Sequence, residues 1–117
     1  MWRALAILTL LAGCSMEGPA EKAEALSLAR QAARAGDHAE AARAYRRVTE
    51  VDARSVEAWS GLARAELRSG ADARESARRL LDLDAAVDAL ELLGHALLRA
   101  GDAEGAAARL ERAYARD

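Results

Sequence analysis

Three glycine turns at near-equal intervals constrain this chain more than any other feature. Gly36-Asp37, Gly70-Ala71-Asp72 and Gly101-Asp102 each close one stretch of helical periodicity and open the next, and the glycines stand 34 and then 31 residues apart. Glycine supplies the left-handed backbone on which helices commonly end, and an aspartate beside it suits the start of the following helix. A period near 34 with two helices per unit means stacked helix–turn–helix units, because each unit can bury its apolar face only against its neighbours. Alanine supplies much of the 52% hydrophobic fraction, aromatic residues make up 3%, and there is no phenylalanine. Alanine is the best helix former and lets helices approach closely, while β-branched residues are few. The expected class is all-α, a helix–turn–helix solenoid of six helices at about 19–35, 38–52, 55–69, 72–83, 86–100 and 103–116, with thin, alanine-rich packing and no strand.

The periodic residues then carry a resemblance. The first unit reads Ala25-x₂-Leu28-Ala29-x₂-Ala32, then Ala41-x₃-Tyr45 and Val48. The second reads Trp59-x₂-Leu62-Ala63, then Ala73-x₃-Ala77 and Leu80. The third reads Leu90-x₂-Leu93-Gly94-x₂-Leu97, then Ala106-x₃-Leu110 and Ala113. Each set makes one apolar stripe at helical spacing. The pattern resembles the tetratricopeptide repeat, whose units read Trp-x₂-Leu-Gly-x₂-Tyr, then Ala-x₃-Phe, then Pro. The resemblance covers residues 19–117, with units at about 22–54, 56–84 and 87–117, and implies an array of three repeats that binds other polypeptides. The terminal prolines of the pattern are missing: Asp52-Ala53-Arg54 and Asp84-Ala85-Ala86 stand in their place. Glu66 occupies a first-helix site that is usually bulky and apolar. An enclosed Glu66 would need a basic partner, and the expectation is that it reaches solvent. The second repeat is also about two residues short around its internal turn.

The amino terminus has a different character. Met1-Trp2-Arg3 is a charged start, Ala4 to Ala12 is an apolar run broken only by Thr9, and Leu11-Ala12-Gly13-Cys14 ends on the one cysteine of the chain. Charge, short apolar run and small residues in that order are the layout of a secretory signal, and the run is shorter than the roughly 20 apolar residues of a spanning helix. Leu-Ala-Gly-Cys is similar to the lipobox of bacterial lipoproteins. That resemblance implies residues 1–13 as signal peptide, cleavage before Cys14, lipidation of Cys14, and residues 14–18 as a short tether. Each buried CH₂ contributes about 0.8 kcal/mol, so several acyl chains hold stably where one is marginal. The resemblance further implies a cell-envelope location. Ser15 stands where an inner-membrane lipoprotein commonly has aspartate, which favours the outer membrane, facing the periplasm. Loss of residues 1–13 takes Arg3 from the 17 basic residues and none of the 19 acidic ones, leaving a net charge near −3, too mild and mixed for nucleic-acid binding.

No catalytic constellation is present. His38 and His95 are the only histidines, and neither has metal-ligand spacing with other candidate ligands. No phosphate-binding glycine loop or nucleophile elbow occurs, so neither an enzyme nor a cofactor is expected. His38 reads as a solvated turn residue, and Trp59 and Tyr45 as core. A surface remains. First-helix positions that face the groove in the repeat family fall here on Arg30, Arg64 and His95, and four residues later on Arg34, Arg68 and Arg99, with Ser60, Glu91, Leu67 and Leu98 beside them. That double basic row would take a protein or peptide partner, preferably an acidic segment, because guanidinium groups hold carboxylates in bidentate fashion. The third repeat has no further helix to close it within this chain, so Leu110, Ala113 and Tyr114 are expected partly uncovered, a self-association surface for a homo-oligomer. The whole then reads as a membrane-anchored adaptor or scaffold of the bacterial envelope, supporting assembly of a pilus or secretion machine. The alternatives are general outer-membrane assembly, docking of peptidoglycan enzymes, or a self-stacking oligomer.

Overall fold

The computed structural model describes residues 2–83 and 86–115, with the side chains of 18–83 and 89–115. Six helices follow one another, and no strand occurs among the described residues: α1 (Trp2–Arg34), α2 (His38–Val51), α3 (Val56–Ser69), α4 (Arg74–Asp82), α5 (Ala86–Arg99) and α6 (Ala103–Ala115). They pack as three consecutive pairs, and α3 also touches α5. The class and the number of helices are those read from the periodicity.

The glycine turns share one geometry. Gly36, Gly70 and Gly101 have φ of 79°, 85° and 92°. In each turn the amide just after the glycine reaches back five residues: Asp37 to the Ala32 carbonyl (2.9 Å), Ala71 to Glu66 (2.8 Å) and Asp102 to Leu97 (2.9 Å). This is the Schellman pattern, which satisfies carbonyls that would otherwise be orphaned at a helix end. The aspartate then starts the next helix. Asp37 Oδ1 accepts from Glu40 N (3.2 Å) and Asp102 Oδ1 from Gly105 N (2.9 Å). In the middle turn Ala71 intervenes and the register changes. Asp72 Oδ1 accepts from Arg74 N (3.0 Å), Ala73 at the helix start caps nothing with its side chain, and α4 has only 9 residues. The shortening read from the sequence thus falls on α4, which begins later than the predicted 72. Between units, where the terminal proline is missing, Ser55 Oγ caps α3 by accepting from Ala58 N (3.2 Å).

α1 departs from expectation at its start. The predicted helix began at Pro19, whereas helical backbone runs through Ser15–Gly18 and keeps Pro19 inside the helix. A proline removes one ladder hydrogen bond and disturbs one carbonyl. With the good helix formers Met16, Glu17, Ala20 and Glu21 around it, that local loss does not end the helix.

Two apolar clusters run along the stack. Ala25, Ala29, Ala41, Tyr45, Val48 and Leu62 anchor the first, where α1, α2 and α3 meet. Ala77, Leu80, Leu92, Leu93, Leu97 and Ala106 anchor the second, between α4, α5 and α6. Trp59 packs against both, donates its indole N–H to the Ala53 carbonyl (2.8 Å), and carries the Arg79 guanidinium 5.9 Å from its ring centroid. The bulk of Tyr45 is accommodated by Gly61: a Cβ there would stand 2.6 Å from two carbons of the buried ring. At Gly94 a Cβ would meet Leu110 Cγ at 2.7 Å, but Leu110 is only half-buried and can turn away. Gly61→Ala should therefore destabilise by up to about 2 kcal/mol, an overpacking cost of about 1–3 kcal/mol partly offset by about 1 kcal/mol of helix propensity. Gly94→Ala should fall within about 0.5 kcal/mol of the parent. Urea unfolding followed by circular dichroism measures both, and equal effects at the two glycines would contradict the packing described.

Candidate interaction groove

The first helices of the three units share one face. Arg30 of α1 reaches Glu57 of α3 through two hydrogen bonds, Nε to Oε1 at 2.6 Å and Nη2 to Oε2 at 2.7 Å. Arg99 of α5 donates to the Leu67 carbonyl of α3. Between these ties lie two adjoining concavities. One, of about 160 Å³, has the buried Tyr45 and Ala65 with Gly61 at its base, the exposed Arg64, Arg68 and Ala33 at its rim, and half-buried His38 beside them. The other, of about 420 Å³, is lined by Leu67, Arg68, His95, Leu98 and Arg99. Arg68 belongs to both. A third hollow, of about 320 Å³, continues past Arg99 to Gly70 and Arg74.

The predicted row is brought together in part. Arg64, Arg68, His95 and Arg99 line these hollows, with Leu67 and Leu98 beside them as read from the sequence. Arg30 does not line them; its guanidinium is engaged by Glu57, which holds the Glu57 carboxyl below its ordinary range. Arg34 lines neither concavity, yet its charge reaches the Tyr45 hydroxyl. Ser60, expected on the groove, is buried. Two residues set aside as structural, His38 and Tyr45, contribute to the smaller hollow. Burial raises the Tyr45 pKa above its ordinary value, with Glu57 adding to the effect and Arg30, Arg64 and Arg34 opposing it. Tyr45 therefore presents a neutral hydroxyl, a donor as well as an acceptor. Nothing in the periodicity separates a tyrosine that only fills the core from one that also floors a pocket. The signal lay in its tertiary partner Gly61, against whose backbone the ring packs beside the hollow.

Among the described residues Lys22, Arg30, Arg43, Arg46, Arg74 and Arg79 form ion pairs, with Asp52, Glu57, Glu40, Glu66, Asp72 and Glu75 respectively. Arg34, Arg64, Arg68 and Arg99 take part in none of these. Arg47, Arg54, Arg78, Arg109 and Arg112 are likewise in none of them; what sets this face apart in a chain of net charge −2 is that Arg64, Arg68 and Arg99 line adjoining hollows. Arg74 lines the third hollow, but its partner Asp72, held at about 2 chiefly by hydrogen bonds from Arg74, neutralises it.

Glu66 corrects an expectation. It is buried, not solvated: Oε1 accepts from Ser76 Oγ of α4 (2.5 Å) and Oε2 from Arg46 Nη2 of α2 (3.4 Å). The carboxylate therefore bridges three helices from the side of α3 that carries neither Arg64 nor Arg68. Burial pushes its pKa up, against the hydrogen bond from Ser76 and the Arg46 charge. The folded state thus holds the Glu66 proton more tightly than the unfolded chain. Its contribution to stability grows as pH falls through the window between the raised folded value and the ordinary one, and is lost as pH rises. Asp52, Glu57 and Asp72, all lowered by basic partners, contribute in the opposite sense: theirs is present at neutral pH and lost in acid. Comparing Glu66→Gln with the parent cancels those three. The melting temperature of the parent relative to Glu66→Gln should rise between pH 7 and pH 5, and a fall would contradict the burial of Glu66.

At the far end of the stack Tyr114 is 65% exposed and Leu110 half-buried, as expected, but Ala113 is buried because α6 turns it onto α5. The Cys14 side chain lies outside the described residues. Among the described residues no helix is long and apolar enough to cross a membrane, and no group of three or more His, Cys, Asp or Glu side chains is placed to hold a metal ion.

Comparison with known families agrees with this architecture. Residues 26–72 match the tetratricopeptide repeat family, a stretch running from the middle of α1 through α2 and α3 to the turn at Gly70. The match supports a tetratricopeptide-repeat protein, a class that generally mediates protein–protein interactions and is typically non-catalytic. No curated protein matches the chain.

Proposed function

We propose that this protein is a membrane-anchored adaptor, in which Cys14 carries the lipid and the groove across α3 and α5 grips an acidic segment of a partner protein. The observation that carries the reading is the gathering of Arg64, Arg68 and Arg99, none of them in an ion pair among the described residues, on one concave face of a net-acidic repeat protein. Arg–carboxylate hydrogen bonds are among the stronger polar contacts available to a surface, and first helices that stand side by side offer an extended segment a continuous bed. The lipobox-like Leu11-Ala12-Gly13-Cys14 supports anchoring at an envelope membrane, the outer one by the absence of aspartate at position 15. An anchored adaptor without catalytic groups suits the assembly of an envelope machine such as a pilus or secretion apparatus.

The test joins the two halves of the reading. A photo-crosslinking residue at Leu98 of the full-length chain in cells should give a discrete adduct with one partner, and the same residue at Arg47, exposed on α2 and not among the lining residues, should not. Cys14→Ser should move the protein from the membrane fraction to the soluble one or leave the signal uncut. Crosslinks of equal yield at both positions would sink the groove, and unchanged processing and fractionation would sink the anchor.

A further inference from the structure

The two hollows that meet at Arg68 differ in kind. The smaller is floored by the Tyr45 ring and rimmed by Arg64 and Arg68. At about 160 Å³ it lies below the usual 300–1,000 Å³ of a pocket for a whole small ligand, so it suits one polar group of a larger one. The larger is walled by Leu67 and Leu98, and Leu98 is a large aliphatic side chain left 54% exposed directly beside cations. Scattered exposed leucines are unremarkable; this one lines a hollow of about 420 Å³ whose other apolar wall is Leu67. At the Arg99 end the trough continues into the third hollow, so a chain lying in it need not terminate there.

We infer that the groove recognises an internal, extended stretch of a partner that presents an acidic side chain to Arg64 and Arg68 and a large aliphatic side chain to the cleft between Leu67 and Leu98. This rests on the adaptor reading and narrows it to a two-point motif. Charge complementarity selects the acidic residue. The aliphatic residue is selected because covering Leu98 removes apolar surface from water, at roughly 25 cal/mol per Å². Tyr45, kept neutral, can donate its hydroxyl hydrogen to the same carboxylate. Gly61 lets the Tyr45 ring lie close against α3 at the floor of the smaller hollow, since a Cβ there would run into the ring.

The test uses fluorescein-labelled, C-terminally amidated Gly/Ser peptides carrying one glutamate and one leucine, their separation varied from one residue to four, with binding to the full chain read by fluorescence anisotropy. One separation should bind at least about tenfold tighter than the same peptide with Leu→Gly or with Glu→Gln, tenfold corresponding to about 1.4 kcal/mol. Leu98→Ser, at an exposed position that the fold does not need, should erase the preference for leucine and leave the preference for glutamate. If the Leu→Gly peptide binds as well as its parent while Glu→Gln does not, the two-point motif is wrong and the basic groove survives. If Glu→Gln has no effect, the acidic-partner reading falls with it. No binding by any amidated peptide, or binding only by peptides with a free terminal carboxylate, overturns the internal-segment proposal.

Discussion

Reversing Arg64 and Arg68 together to glutamate should abolish capture of the partner while leaving a folded protein. Hydrogen bonds to charged groups contribute about 1.5–3 kcal/mol each, and reversal replaces attraction by repulsion, so affinity should fall by more than about a hundredfold. The fold should tolerate the change because both residues are exposed and neither is in an ion pair. Two like charges four residues apart on a helix already repel by about 0.2–0.5 kcal/mol, and two glutamates do the same. The added cost is an acidic residue in the last turn of α3, about 0.3–1 kcal/mol from the helix dipole. A melting temperature lowered by more than a few degrees would therefore mean that the arginines are structural. The control is Arg47→Glu with Arg78→Glu, the same change of net charge on residues outside the groove lining, which should retain binding. Loss of binding in both double variants would show that net charge, and not the groove, decides capture. The interaction of the parent should also weaken with salt, because surface charges are screened over about 10 Å at 0.1 M ionic strength.

What the sequence revealed about this molecule, and what it concealed, divides along the line between local and tertiary causes. Gly36, Gly70 and Gly101 were readable because a left-handed residue at a helix end is a backbone requirement that few residues meet. The apolar stripes were readable because helical period alone places Leu62, Leu80 and Leu93 inward. Glu66 was misread: its site is set by α2 and α4, and only there do Arg46 and Ser76 supply the partners that make burial of a carboxylate tolerable. Arg30 was misread for the same reason, since Glu57 lies 27 residues away and the family pattern says nothing of it. Tyr45 and His38 were assigned to core and turn, each a correct local description that omits the hollow they share with Arg64. The start of α1 was missed because proline is a strong signal for a first helical position and only a weak barrier to a helix that can lose one bond.

The same thinness of core makes a single leucine decisive. Among the described residues, fourteen of the 22 buried apolar ones are alanine, and an alanine carries one carbon of side chain, so the few larger groups supply most of the packing volume. Leu80, fully buried, is with Leu93 and Val48 one of the largest side chains with almost no exposure among the described residues. It comes from α4, the shortest helix, which has no side-chain cap at its start and depends on contact with α3 and α5 for its stability. Leu80→Ala should cost about 2–5 kcal/mol, a large part of the roughly 5–15 kcal/mol that holds a small domain folded. At about 4–8 °C per kcal/mol for a domain of this size, the melting temperature should fall by more than about 10 °C. Because repeats are stabilised by their neighbours, the loss should be greatest around α4 and α5, and amide hydrogen exchange should accelerate there more than in α1 and α2. Leu98→Ala provides the contrast, since substitutions at exposed positions usually change stability by less than about 0.5 kcal/mol. A cost below about 1 kcal/mol at Leu80, or a uniform rise in exchange along the whole stack, would mean that the second cluster is not the keystone of repeats two and three, and that the groove formed by α3 and α5 draws its rigidity from elsewhere.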